Sequence, residues 1–247
     1  MKRSMLFWFA ACLVVMAGAG AQDYQREQRW AGQIVPSLVV GDAVRINTPA
    51  GRDFLGIYTE TRGAKAAVLL VHSVGVHPDH GVIGALRASL ADAGFTTLSI
   101  QMPVQGADAK MEDYYPAVFP DAAARIGAAA RWLADKGQRK VVLLSHGMGS
   151  WMSNVYFEQT EHPPFAAWVN MGLTGGFGNM RNVRVPVLDL YGEHDLPQAT
   201  RADWRRALTL RGIDGSKQVK IAGADHNYTG HEKELTASIR EFVGALP

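Results

Sequence analysis

The stretch VVLLSHGMGS, residues 141–150, joins an apolar run to a compact turn that contains two glycines. A short continuous apolar run is typical of a strand that is buried on both faces of a parallel sheet. Similar runs occur at residues 66–72 and 185–191, and helical patterns lie between them. Strands that alternate with helices in this way predict one mostly parallel sheet with helices on both faces.

The loops that follow four of the predicted strands carry the residues best suited to chemistry. Ligands of such sheets bind beyond the carboxyl ends of the strands, so we expect these loops to meet at one edge of the sheet. The loops are His72-Ser73-Val74-Gly75 after the third strand, Ser145-His146-Gly147-Met148-Gly149 after the fifth, Tyr191-Gly192-Glu193-His194-Asp195 after the seventh, and Gly223-Ala224-Asp225-His226-Asn227 after the eighth.

This order of motifs resembles the α/β-hydrolase superfamily, in which a nucleophile, an acid and a histidine follow one another along the chain. The resemblance covers residues 38–247 and implies an eight-stranded, mostly parallel sheet in a single α/β domain. Residues 172–184, where a lid would be inserted, are too few for a large one. More narrowly, the chain resembles a family of secreted bacterial proteins of unknown function, with a degenerate nucleophile elbow.

The nucleophile position of the elbow holds a glycine. The elbow has the form small-x-nucleophile-x-small because the turn is tight. Ser145 and Gly149 fill the small positions, and His146 and Met148 fill the variable ones, which leaves Gly147 as the vacant nucleophile position. Glycine tolerates the strained backbone of such a turn, but it has no side chain that can attack a carbonyl. Loss of a triad nucleophile lowers the turnover of a subtilisin-type enzyme by about a millionfold.

The acid and base positions are retained. By the same resemblance, Asp195 occupies the position of the acid and His226 that of the base. A carboxylate fixes the tautomer of such a histidine and stabilises its charged form. Even without a serine, this pair can act as a general base on a water molecule or on an acidic proton.

Ser73 is the best substitute nucleophile in the sequence. It lies in the loop that usually supplies an oxyanion-hole amide, so it should be close to the pocket, whereas Ser145 and Ser150 are expected to be structural. The residues expected to form the oxyanion hole or the pocket are Ser73, Met148, His72 and His146.

Three functions therefore stay open. The sequence favours a non-catalytic protein, a pseudoenzyme with a degenerate catalytic triad, that binds a small molecule or an envelope protein. The alternatives are a hydrolase or lyase-type enzyme that uses the His226–Asp195 pair as a general base, and an esterase whose displaced serine is Ser73.

The first 21 residues are predicted to be a signal peptide. Lys2 and Arg3 precede an apolar run, and small residues at 17–21 form an A-x-A-like cleavage site after Ala19 or Ala21. Residues 22–37 are interpreted as a polar N-terminal tail. Export indicates a periplasmic location, and cleavage removes Cys12, so the mature chain has no disulfide.

Composition points to no cofactor, metal or nucleic-acid partner. Of the 25 basic residues, two lie in the predicted signal peptide, which leaves 23 against 23 acidic residues and removes the formal charge of +2. No further apolar stretch is long enough for a membrane span after signal cleavage. The spacing of His72, His77 and His80 with Asp79 does not match a familiar metal site.

Overall fold

The computed structural model describes residues 22–110 and 117–246, and within them it has one eight-stranded sheet flanked by helices. The predicted signal peptide lies outside the described residues. The strands are β1 (Asp42–Asn47), β2 (Asp53–Thr59), β3 (Ala67–Val71), β4 (Thr96–Ile100), β5 (Val141–His146), β6 (Ala167–Met171), β7 (Val187–His194) and β8 (Lys217–Asp225). The helices are α1 (Tyr24–Ile34), α2 (Gly81–Asp92), α3 (Phe119–Asp135), α4 (Met148–Gln159), α5 (Pro197–Thr200), α6 (Asp203–Leu210) and α7 (Glu232–Gly244).

The strand order across the sheet is β1-β2-β4-β3-β5-β6-β7-β8. β2 is antiparallel to both of its neighbours, and all the other neighbouring strands are parallel. Residues 172–186, all of them described, contain neither helix nor strand, so no lid domain is inserted after β6. The predicted fold class, a mostly parallel eight-stranded α/β sheet without a large lid, is confirmed.

Two apolar cores cover the two faces of the sheet. Successive residues of a strand point to opposite faces. Leu69 and Leu143 therefore pack with α3 and α4 on one face, whereas Leu70 and Leu144 pack with α2 and α7 on the other. The register places Val71 beside Ser145, so the ends of β3 and β5 lie together, as the alternating pattern predicts.

Residues 22–37, interpreted as an N-terminal tail, are packed against the domain rather than loose. Most of this segment is α1, followed by a 3₁₀ turn at Val35–Ser37. The Asp23 side chain accepts a hydrogen bond from Arg26 N at 2.8 Å and caps the helix. Glu27 is buried and forms an ion pair of 2.9 Å with Arg125 of α3, which anchors α1 to the domain.

Two other expected elements differ from the structure. The sequence pattern predicts a first strand over residues 38–46 and one helix over residues 199–210. In the structure β1 begins at Asp42, and the helical region is divided into α5 and α6. At the start of α6 the Asp203 carboxylate accepts hydrogen bonds from Trp204 N and from the Tyr191 hydroxyl. These bonds stabilise a new helix N-terminus at the point where a continuous helix was expected. Among the described residues, no helix has the length and apolar character that a membrane span needs.

Candidate active site

The turn between β5 and α4 has the backbone of a nucleophile elbow. Gly147 has φ 57° and ψ −123°, a conformation that costs free energy for residues other than glycine. Its N–H donates to Met171 O at 2.9 Å, and its carbonyl accepts from Ser150 N at 3.0 Å. A Cβ atom at Gly149 would lie 2.5 Å from the His72 carbonyl oxygen, so this position must also be small.

His226 and Asp195, the predicted base and acid, are hydrogen-bonded to each other. His226 Nδ1 and Asp195 Oδ1 are 2.7 Å apart. Burial alone would raise the pKa of Asp195, but the hydrogen bond and charge of His226, with the backbone N–H groups of Leu196 and Gly192, lower it below its usual value. Because Nδ1 donates to the carboxylate, Nε2 is the nitrogen left free to accept a proton.

The free nitrogen of His226 faces the vacant nucleophile position. A Cβ atom at Gly147 would lie 3.3 Å from His226 Nε2. Gly172, at the end of β6, leaves space for the imidazole, because a Cβ atom there would lie 3.0 Å from His226 Nδ1 and Cε1. Sequence reasoning missed Gly172, since the only signal for it was a glycine-rich loop after the sixth strand.

The Ser73 side chain occupies the space beside the vacant position. The same Cβ atom at Gly147 would lie 2.7 Å from Ser73 Oγ, well inside van der Waals contact. Ser73 Oγ accepts a hydrogen bond of 3.2 Å from Met148 N, the first residue of α4. The Ser73 hydroxyl and His226 Nε2 therefore both lie within 3.3 Å of the position that a Cβ atom of residue 147 would occupy.

His72 fixes the main chain of the Ser73 loop. Its Nε2 accepts a hydrogen bond from Met102 N at 2.9 Å, and its Nδ1–H donates to Ser73 O at 2.6 Å. Burial lowers the pKa of His72 to about 3, so the imidazole is neutral and keeps this tautomer. His72 thus connects β3 to the segment after β4 and holds Ser73 in place.

His146 supports the loop that carries the base. Its Nε2–H donates to His226 O at 2.9 Å, and the two imidazole centroids are 4.9 Å apart. Burial, and then the charge of His226, lower the pKa of His146 to about 4. A neutral His146 therefore holds the backbone of His226 without contributing a positive charge.

A cavity of about 610 Å³ opens beside these groups. Of the predicted pocket residues, Ser73, His72 and His146 line it with His226. Met148 contributes its backbone N–H, while its side chain packs against the core of the α3–α4 face. The other lining residues are Val74, Val76, His80, Gly81, Val82, Ile83, Leu196, Asn227, Thr229 and Glu232.

The remaining candidate serines are buried in packing contacts. Ser145 Oγ accepts a hydrogen bond of 2.8 Å from Trp168 Nε1, and Ser150 Oγ donates to Ser145 O at 3.0 Å. In the part of the chain that the structure describes, no three His, Cys, Asp or Glu side chains are grouped to hold a metal ion. His77 and His80 instead pack edge to face at 5.3 Å, and Asp79 accepts a hydrogen bond from Arg87 Nε at 2.7 Å.

Comparison with solved structures identifies the fold. An esterase from Pyrococcus furiosus matches 83% of this chain and 90% of its own, at 13% identity and a TM-score of 0.68. A lidless α/β serine hydrolase from Xanthomonas campestris matches 85% and 97%, at 17% identity and a TM-score of 0.65. This chain has the α/β-hydrolase fold. A dienelactone hydrolase from Anabaena variabilis is similar to it over 83% of this chain and 96% of its own, at 21% identity and a TM-score of 0.65.

Comparison of sequences adds one match. The model of a family described as a protein of unknown function, DUF3530, matches residues 20–124. This range contains the Ser73 loop and ends before the elbow at Gly147. A search of curated proteins finds no match. The sequence relatives therefore assign no activity, and the function has to be argued from the site.

Proposed function

We propose that this protein is a periplasmic hydrolase of carboxylic esters or thioesters in which Ser73 replaces the missing elbow nucleophile. The proposal rests on the geometry around Gly147. The position that a Cβ atom would occupy there lies 2.7 Å from Ser73 Oγ and 3.3 Å from His226 Nε2. A nucleophile and its base must lie within reach of one another. The cavity of about 610 Å³ gives a substrate access to both groups.

The residues of the site support a two-step acyl transfer. His226 Nε2 takes the proton of the Ser73 hydroxyl while Oγ attacks the carbonyl carbon, and Asp195 stabilises the imidazolium. The imidazolium returns that proton to the leaving alcohol or thiol. Water, activated by His226, then cleaves the acyl–Ser73 ester and restores the hydroxyl.

Met148 N–H donates a hydrogen bond to Ser73 Oγ, the proposed nucleophile. It lies 3.2 Å from Ser73 Oγ at the N-terminus of α4, where the helix dipole favours negative charge. In the resting structure this N–H is bonded to the hydroxyl itself. Catalytic hydrogen bonds often reach their working geometry only when substrate binds. As the bond between Oγ and carbon forms, the N–H would stabilise the negative charge that develops beside it.

A non-catalytic binding protein of the envelope is the rival function. Such a protein needs a cavity, but it does not need a carboxylate that fixes the tautomer of His226 or a serine hydroxyl beside the same vacant position as Nε2. Asp195 is buried, and its carboxylate accepts hydrogen bonds from His226 and from two backbone N–H groups. This arrangement favours catalysis. The periplasmic location in the proposal depends on the predicted signal peptide.

Hydrolysis of a panel of short-chain aryl esters and thioesters by the mature protein tests the proposal. We expect turnover that falls by about a thousandfold or more in Ser73→Ala and in His226→Ala. Ser37→Ala is the control, because Ser37 lies on the exposed surface in the turn after α1. Activity that survives in Ser73→Ala but not in His226→Ala would identify water as the nucleophile. No turnover by the wild type would favour the binding protein.

A further inference from the structure

We infer that this site selects substrates that carry a positively charged group, and that Glu232 recognises it. The inference rests on the proposed hydrolase function and adds a substrate class to it. Glu232 is the first residue of α7 and lies six residues after the base His226. Glu232 lines the same cavity as Ser73 and His226.

Among the described residues, the wall of this cavity carries no lysine or arginine, although Glu232 also lines a second cavity of about 220 Å³ with Lys233 and Arg240. The aliphatic side chains of the first cavity are those of Val74, Val76, Val82, Ile83 and Leu196, and Asn227 and Thr229 are polar but uncharged. A half-buried carboxylate at a cavity wall without lysine or arginine attracts a cationic ligand group and repels an anionic one.

The histidines of the cavity do not reverse this charge. Burial lowers the pKa of His72 to about 3 and that of His146 to about 4, so both are neutral at physiological pH. His226 is bonded to the Asp195 carboxylate, so its protonation makes the pair neutral rather than positive. The fourth imidazole, His80, packs edge to face against His77 at 5.3 Å.

A role at the helix N-terminus does not by itself account for Glu232. An acidic residue in the first turn is stabilising on any helix. Glu234 fills that role in the same turn, is exposed, and lies 2.8 Å from His231 Nδ1. Glu232 Oε1 accepts a hydrogen bond from Gly230 N at 3.2 Å, which orients the carboxylate. The described residues provide Oε2 with no hydrogen bond, so this oxygen is available to a ligand.

Three aryl esters of matched size test the inference at pH 8. Their acyl chains end in a trimethylammonium, a tert-butyl or a carboxylate group, and a second set carries these groups on the alcohol. We expect kcat/KM to fall from the cationic to the neutral to the anionic ester, by about fivefold per step at low salt, as one partly exposed ion pair allows. The preference should shrink as the salt concentration rises.

Glu232→Gln and Glu234→Gln change the net charge of the protein by the same amount. Comparing them separates a specific role of Glu232 from a general effect of net charge. The preference should disappear in Glu232→Gln and persist in Glu234→Gln. Equal kcat/KM values for the three wild-type reactions, or a preference that survives in Glu232→Gln, would overturn the inference while leaving the hydrolase function intact.

Binding provides a readout that does not depend on turnover. Isothermal titration calorimetry of Ser73→Ala with the trimethylammonium and tert-butyl esters should show tighter binding of the cation, and the added Glu232→Gln substitution should abolish the difference. If no wild-type hydrolysis is found, a calorimetric preference still supports the charge selection. Equal affinities would overturn it.

Discussion

Gly147 and Ser73 compete for the same volume. A side chain at position 147 would place its Cβ atom 2.7 Å from Ser73 Oγ and 3.2 Å from Ser73 Cβ. The two positions therefore cannot both carry a serine unless the Ser73 side chain or one of the two loops moves. The absence of a side chain at Gly147 leaves room for the Ser73 hydroxyl, and in the proposed mechanism this serine takes the place of the elbow nucleophile.

Exchanging the two residues should restore a serine at the elbow. Gly147→Ser alone should destabilise the fold by about 1–3 kcal/mol, because it combines φ 57° with the contact to Ser73. In the double variant Ser73→Gly/Gly147→Ser the contact is removed, and the new hydroxyl is attached to a Cβ 3.3 Å from His226 Nε2.

The measurements are urea unfolding and hydrolysis of the ester panel. The double variant should be more stable than Gly147→Ser and more active than Ser73→Gly. A double variant as unstable as Gly147→Ser would show that the two side chains do not compete for space.

The Asp195 carboxylate should make stability depend on pH. Its pKa is lowered in the folded protein from a reference value of 3.8. A depressed folded-state pKa stabilises the fold above the unfolded-state value, and the stabilisation is lost as pH falls through the folded-state value. Asp195→Asn lacks this contribution at every pH.

Urea unfolding between pH 7 and pH 3 measures the effect. The advantage of the wild type over Asp195→Asn should be constant above about pH 5 and should shrink below about pH 4. The exposed Asp214→Asn is the control, and its unfolding midpoint should follow that of the wild type. A constant difference between wild type and Asp195→Asn down to pH 3 would contradict this account.

The direction of the Ser73 side chain is the detail that sequence reasoning could not predict. The position of the residue after a buried strand followed from the apolar run at 66–72. The orientation depends on His72, which is bonded to Met102 N thirty residues away, and on the backbone angles at Gly147. Neither the hydrogen bond of His72 nor the backbone angles at Gly147 can be inferred from the sequence around Ser73.

Most strands and helices were predictable because each buried strand is a continuous apolar run flanked by turn residues. α1 was missed because its sequence is mainly polar. The ion pair between Glu27 and Arg125 anchors it to the domain, and these residues are 98 positions apart. The local pattern of apolar and polar residues cannot predict a contact between residues so far apart in the sequence. The division between α5 and α6 was missed for the same reason, since it depends on the Tyr191 hydroxyl of β7.

α6 secures the two loops around the acid and base through one buried residue. Arg206 is fully buried and bonded to Asp189 Oδ2 at 2.8 Å. Its guanidinium also donates to the carbonyls of Leu173 and Gly175, in the loop after β6, and of Ala199 in α5. The loop after β6 begins at Gly172, which lies beside His226, and α5 begins just after Asp195. Arg206 therefore holds together the two segments next to His226 and Asp195.

Arg206→Ala should therefore lower both stability and activity. Removing one partner of a buried ion pair costs about 3–5 kcal/mol, because the other charge is left unpaired. Arg205→Ala is the matched control: it is the preceding residue of α6, exposed, and should change the free energy of unfolding by less than about 0.5 kcal/mol. Urea unfolding compares the three proteins, and similar midpoints for both variants would contradict the assigned role of Arg206.

At the scale of the whole molecule, the order of strands and helices was enough to predict the fold. Parallel strands in one sheet bring their carboxyl ends to one edge, which is why four loops far apart in sequence meet around one cavity. What such an order cannot predict is chemistry, because one fold supports many activities.

Export of the precursor is a prediction for the whole chain. Lys2 and Arg3, the apolar run after them and the small residues up to Ala21 predict cleavage after Ala19 or Ala21. Cell fractionation and intact mass spectrometry should find a periplasmic protein that begins at Gly20 or Gln22. A chain that starts at Gln22 after an initiating methionine is the control and should stay in the cytoplasm. An uncleaved precursor in the membrane fraction would contradict the prediction.

The central claim is that Ser73 is the nucleophile, and labelling by a fluorophosphonate tests it most directly. Trypsin cleavage after Lys65 and Arg87 releases a peptide, residues 66–87, in which Ser73 is the only serine and which has no threonine or tyrosine. The account predicts a phosphonate adduct on this peptide in the wild type, and its loss in His226→Ala. An unlabelled peptide in a protein that hydrolyses esters, or an adduct on any other peptide, would contradict it.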